Sequence, residues 1–164
     1  MNIILIGMPT SGKSTVGVIL AKILGMKFLD TDLLIQSRTG KKLSEIIESE
    51  GSDGFLRIEE EVCSSVDAEN TVIATGGSVV YGQDAMRHLK ENGKTVYLQI
   101  SLEELKQRLR DAKARGVVLR EGDSLDGLYA ERTELYARYA DLTVSEEGLT
   151  LEETVSAVKE SLRG

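Results

Sequence analysis

The sequence predicts an α/β fold of three layers, with about five parallel strands and helices on both faces. Two observations carry that expectation. Short apolar runs alternate with segments of helical periodicity along the 164 residues, and three of those runs end on clusters of glycine or aspartate. Strands alternating with helices need crossover connections, which make neighbouring strands parallel and put ligands beyond their C-terminal ends.

The elements follow in order. Residues 2–6, NIILI, read as a short buried strand, and residues 7–15 read GMPTSGKST. Lys13 to Leu24 then places Val16, Ile19, Leu20 and Ile23 on one helical face. Met26 to Leu29 is a second strand, ending at Asp30-Thr31-Asp32, and Asp32 to Arg38 is a short helix. Leu43 to Glu50 aligns Leu43, Ile46 and Ile47, and Gly54 to Val66 aligns Phe55, Ile58 and Val62, with a break or helix start at residues 51–54. Asn70 to Thr75 is a buried strand that stops at Gly76-Gly77-Ser78. Gln83 to Glu91 is helical, Lys94 to Ile100 a strand, and Leu102 to about Lys113 a helix. Residues 114–124 are polar at both ends and weakly periodic, which marks a mobile lid over about 113–124. Leu125 to Tyr139 is a helix, Leu142 to Val144 the last strand, and Leu151 to Leu162 a closing helix.

Composition narrows the function classes. A net charge of -7 with no dense block of Lys and Arg argues against a nucleic-acid partner, and the seven Phe and Tyr residues offer no stacking platform. The lone Cys63 cannot form an internal disulfide and is expected as a buried thiol; His88 is expected at the surface. No apolar run approaches the roughly 20 residues that span a bilayer, and the N-terminus lacks the regions of a signal peptide. One domain over residues 1–164, cytoplasmic, monomeric and without a membrane partner, is the expectation.

Residues 7–14 fit the pattern G-x-x-x-x-G-K-[ST], in the required order of strand, glycine loop and helix. Pro9, Thr10, Ser11, Gly12, Lys13, Ser14 and Thr15 are therefore the expected contacts of a nucleoside triphosphate. Backbone N–H groups and the helix N-terminus form an anion nest, Lys13 reaches the outer phosphates, and Ser14 offers its hydroxyl to Mg2+.

Asp30 and Asp32 end the second strand, near enough to the first for both to face the terminal phosphate. One can hold Mg2+ through water while the other orients or deprotonates an attacking hydroxyl; either can instead cap the following helix. No acid follows the third strand, which strengthens the case for this pair. Gly76 and Gly77 let backbone N–H groups approach a small anionic substrate, or simply turn the chain. Arg115, in the lid, is placed to close onto the transferring phosphoryl group. Arg132 and Arg57 are each a carboxylate clamp or a helical partner for a neighbouring acid. Arg108 is a ligand neighbour or a solvated helix residue.

Together these residues resemble the shikimate kinases, small P-loop kinases similar in fold to the nucleoside monophosphate kinases. The likeness spans nearly the whole chain: residues 7–15, Asp30-Thr31-Asp32 with Ile35, Phe55 to Glu59, Gly76-Gly77, the Arg115 loop, and Glu131-Arg132 leading to Tyr136 and Ala140-Asp141. The resemblance implies ATP- and Mg2+-dependent phosphorylation of the 3-hydroxyl of shikimate, with Asp32 the partner of that hydroxyl. It makes Ser14 the direct Mg2+ ligand and Asp30 an outer contact. It makes Arg132 and the Gly77 backbone carboxylate binders, Arg108 a neighbour of adenine and Arg115 the lid arginine. Three departures stand out. The family's Phe-Arg-x-x-Glu reads Phe55-Leu56 here, with Arg57 one position late; the usual third glycine is Ser78; and the usual Arg-Pro of the lid is Arg115-Gly116. Two alternatives remain: a sister kinase for another small alcohol or hydroxy acid, and a nucleotide-binding sensor without catalysis. A GTPase switch is disfavoured, since the chain has no Asn-Lys-x-Asp run.

Overall fold

The computed structural model describes residues 1–111 and 124–164. Arg115, Gly116 and the expected lid as far as residue 123 lie outside the described residues. Five strands, β1 (Asn2–Ile6), β2 (Lys27–Asp30), β3 (Thr71–Ala74), β4 (Gly93–Gln99) and β5 (Leu142–Ser145), form one parallel sheet in the order β2-β3-β1-β4-β5. Among the described residues the helices are α1 (Lys13–Leu24), α2 (Thr31–Thr39), α3 (Leu43–Ser64), α4 (Gln83–Glu91), α5 (Leu102–Asp111), α6 (Leu125–Tyr139) and α7 (Leu151–Arg163), with a 3-10 turn at Val79–Tyr81.

Strand alternation divides the core into two layers. Ile3, Leu5, Val72, Val96, Leu98 and Val144 point to one face and bury Val16 and Leu20 of α1 and Val155 and Val158 of α7. Ile4, Ile6, Ile73 and Tyr97 point to the other, against Cys63 of α3, Met86 and Leu89 of α4, Leu105 of α5 and Tyr136 of α6. Each fully buried aliphatic side chain contributes about 1.5–3 kcal/mol, so this two-sided burial is what holds β1 at the centre of the sheet. A smaller cluster of Ile35, Ile46, Phe55 and Val62 binds α2 to α3.

One helix reading changes in detail. Ile23, expected on the core face of α1, is 51% exposed, because the stripe that packs is Val16, Gly17, Leu20 and Ala21. The two helical segments expected on either side of residues 51–54 are the two halves of α3, separated by a kink at Gly51, whose φ 74 and ψ 176 are not helical. His88 is half-buried rather than at the surface, its Nε2 lying 2.6 Å from the Val66 carbonyl. Cys63 is buried as expected, and burial pushes its thiol up to about 12.

Candidate active site

The C-terminal ends of the strands carry the polar residues. After β1, the loop reaches α1 through Gly7 at φ 150, Thr10 at φ 71 and Gly12 at φ 85, a succession that turns backbone N–H groups inward. A Cβ on Gly7 would stand 2.6 Å from the Leu98 carbonyl, so this glycine lets the loop leave the sheet against β4. Lys13 is buried. Its Nζ donates to the carbonyls of Gly7 and Met8 at 2.7 and 2.8 Å and to Ser11 Oγ at 3.4 Å. Burial pushes its pKa down to about 8, with Arg132 adding to the effect and Asp32, Glu146 and Asp30 opposing it. A partly desolvated ammonium of this kind gains most from an arriving anion.

Asp30 performs the capping function weighed for it and also contacts Ser14. Its Oδ1 accepts from the amides of Asp32 and Leu33 at 2.9 and 3.3 Å, capping α2, while Oδ2 accepts from Ser14 Oγ at 2.7 Å. The Ser14–Asp30 pair fits Mg2+, which prefers hard oxygens, takes one or two from protein and keeps the rest of its shell for water and phosphate. Asp32 lies one residue into α2, and burial, then the Asp30 charge, push its pKa up to about 6 while Lys13 holds it down.

After β3, Thr75 Oγ1 donates to the Leu5 carbonyl at 2.7 Å, fixing this turn against the end of β1. Glycines follow because nothing larger fits. A Cβ on Gly76 would stand 2.7 Å from Asp32 Oδ1 and 2.8 Å from Glu59 Oε2; one on Gly77 would stand 2.7 Å from Pro9 Cδ and 3.0 Å from Arg132 Nη1. The Gly77 carbonyl accepts from the Tyr136 hydroxyl at 2.5 Å, and Tyr136 stacks on Tyr97 with centroids 5.1 Å apart. Arg132, one helical turn before Tyr136, is 1% exposed and lies over the Tyr81 ring at 5.5 Å.

These groups enclose one cleft of about 450 Å³. Pro9, Thr10, Gly12, Lys13, Ser14 and Thr15 form its phosphate side, and Asp32, Gly76, Gly77 and Arg132 its far side. Ser11 sits behind the loop as a partner of Lys13, and Asp30 reaches the cleft through Ser14. Arg57 is not brought there. Phe55 and Glu59 both line the cleft, so α3 keeps the ordinary register, and a residue two positions past Phe55 points about 200° away, into solvent. Arg108 lines a second cavity of about 440 Å³ beyond the phosphate loop, with Glu104, Gln107, Glu146 and Gly148. Its guanidinium donates to the Thr10 carbonyl at 2.9 Å and to Glu104 at 2.8 Å, tying α5 to the loop.

Comparison with known proteins follows this geometry. The family model described as shikimate kinase matches residues 9–163. The chain belongs to the shikimate kinase family. The shikimate kinase of Aquifex aeolicus is 37% identical over the full chain and 97% of its own length, and that of Clostridium botulinum is 38% identical over 96% of this chain and 94% of its own. The crystal structure of the Aquifex shikimate kinase superposes with a TM-score of 0.84 over 100% of this chain and 97% of that one. Shikimate kinase from Acinetobacter baumannii in complex with shikimate, 32% identical, superposes at 0.88 over 99% of this chain and 92% of that one. The architecture is that of shikimate kinases, and the chain is a kinase.

Two residues of the cleft wall make contacts that sequence reasoning left without a role. Glu59 interrupts the apolar stripe of Phe55 and Val62 on α3, and a carboxylate on a buried helical face was its signal. Ser78 donates to it at 2.6 Å. Gln36, Lys42 and Ser44 also line the cleft, and no periodicity marks them.

Proposed function

We propose the following division of labour for phosphoryl transfer from ATP to shikimate. The phosphate loop and Lys13 hold the outer phosphates, and Ser14, backed by Asp30, holds Mg2+, which supplies charge neutralisation there. Asp32 orients the acceptor hydroxyl and takes its proton as the hydroxyl oxygen bonds to the γ-phosphorus and the bond to the ADP oxygen breaks. Arg132 and the Gly76-Gly77 turn receive the acceptor's carboxylate, and Arg108 borders the base through the second cavity. Arg115 is proposed as the lid cation on the phosphates, and the 3-hydroxyl as the acceptor oxygen. We further propose a cytoplasmic, monomeric enzyme.

The observation that supports this assignment is the convergence of Lys13, Asp32 and Arg132 on one cleft: a cation for phosphate, a base, and a second buried cation for an acid. Its position at the C-terminal ends of β1, β2 and β3 is where a parallel sheet accepts ligands. The test is ADP release with ATP and Mg2+, with and without shikimate, and mass spectrometry of the product. Strong stimulation by shikimate with shikimate 3-phosphate as product is expected. Slow hydrolysis that shikimate does not stimulate would keep the phosphate site and reject the acceptor assignment.

A further inference from the structure

Leu56 and Ser78 depart from the family pattern on different elements, and one carboxylate joins them. Glu59 is 2% exposed in the wall of the cleft, and the Ser78 hydroxyl donates to its Oε1 at 2.6 Å. Its Oε2 receives no hydrogen bond and faces Gly76 from the same side as Asp32 Oδ1. Position 56 is three residues before Glu59 on the unbroken part of α3, and side chains at that spacing are neighbours on a helix surface. The arginine that the family motif carries there is thus within reach of the Glu59 carboxylate. Leu56 instead packs, half-buried, against the Ile35, Ile46, Phe55 and Val62 cluster and donates nothing. Ser78 donates where a third glycine cannot.

The geometry points to a single coupled exchange: Ser78 is a positioning residue that anchors Glu59 in the acceptor wall, replacing with a hydroxyl the anchor that an arginine at position 56 provides in the family pattern. The electrostatics agree. Burial, with Asp32 nearby, pushes the Glu59 pKa up to about 7, and the Ser78 hydrogen bond acts against that shift, as do Arg132 and Lys13. Without the hydroxyl, Glu59 loses the hydrogen bond that holds Oε1 and that favours its charged form, beside the base and the carboxylate-binding arginine. The inference rests on the acceptor-site reading above and names the pair of positions that tunes it.

A four-protein cycle tests it: the unaltered chain, Ser78→Ala, Leu56→Arg, and the double variant. A hydrogen bond to a charged group is lost in Ser78→Ala, so the KM for shikimate is expected to rise about tenfold while the KM for ATP stays within about twofold. Leu56→Arg is expected to change that KM little in the unaltered chain but to recover most of the loss in Ser78→Ala. A general packing defect would move both KM values and would not be rescued from position 56. An unchanged KM in Ser78→Ala, or a double variant whose effect is the product of the single ones, would overturn the coupling. Should the unaltered chain not phosphorylate shikimate, the acceptor reading falls on its own. The unfolding midpoints of the same four proteins then decide the coupling: rescue of Ser78→Ala by Leu56→Arg supports it, and additive shifts overturn it.

Discussion

At the residue scale the site is defined by two groups whose environments move them toward neutrality. Asp32 is pushed up to about 6 and Lys13 down to about 8. Asp32 can accept a proton only when ionised, so that function is lost as pH falls through about 6. Lys13 holds phosphate only as a cation, so that function is lost as pH rises through about 8. A bell-shaped kcat/KM for ATP between these limits is expected, since that parameter reports the free enzyme; a flat profile from pH 5 to 9 would contradict both roles. Bound phosphates stabilise the ammonium, so the alkaline limb of kcat should lie higher. Lys13→Met should lower kcat by roughly 10²–10³, the range for removing one preorganised charge donor, while leaving the unfolding midpoint nearly unchanged or raised, because it removes a buried charge. Asp30 caps α2 and is proposed to back the Mg2+ site: Asp30→Ala should raise the Mg2+ concentration for half-maximal turnover and weaken the α2 cap by about 1 kcal/mol, measured by metal titration and thermal melting.

At the scale of elements, α3 is the piece that aims the acceptor side. Its first half brings Lys42, Leu43 and Ser44 to the cleft, its second half Phe55 and Glu59, and Gly51 sets the angle between them. At φ 74 and ψ 176 this residue occupies backbone territory open essentially to glycine, and a Cβ there would meet nothing within 4 Å. The cost of Gly51→Ala is therefore conformational, about 1–3 kcal/mol, or a fall in Tm of roughly 2–12 °C for a chain of this size. The KM for shikimate should rise more than that for ATP, because the phosphate loop lies on other elements; equal changes would show that the kink aims nothing. The sequence made α1, α4 and α6 legible to the residue, since they start after Gly12, Gly82 and Ser124, and α1 also stops at Gly25. It also marked every strand, because β1 and β3 are buried on both faces and read as unbroken apolar runs. Ile23 and Arg57 were not legible. Both depend on which side of a helix meets the sheet or the cleft, which the periodicity of the helix alone does not decide. The Ser78–Glu59 bond joins residues 19 apart on different elements, and only the fold brings them together.

For the whole molecule, the site and the core share the same strands. The phosphate loop extends β1, which pairs with β3 and β4 at the centre of the sheet, and Lys13 and Ser14 begin α1, which covers one face. A ligand in the cleft also touches the ends of β2 and β3 and, through Arg132, α6 on the opposite face. Occupancy should therefore stabilise the molecule as a unit rather than a loop alone. A non-hydrolysable ATP analogue with Mg2+ at a hundred times its Kd adds about 2.7 kcal/mol by mass action. With about 2–4 °C per kcal/mol for a chain of this length, the unfolding midpoint should rise by roughly 5–10 °C. Lys13→Met should remove most of that rise at the same analogue concentration by weakening binding. It should leave the smaller rise given by shikimate alone, whose proposed contacts are Arg132 and the Gly76-Gly77 turn. An analogue that shifts the midpoint equally in both proteins would mean that Lys13 does not hold the phosphates. A shikimate shift that vanishes with Lys13 would mean that the two halves of the cleft do not bind independently.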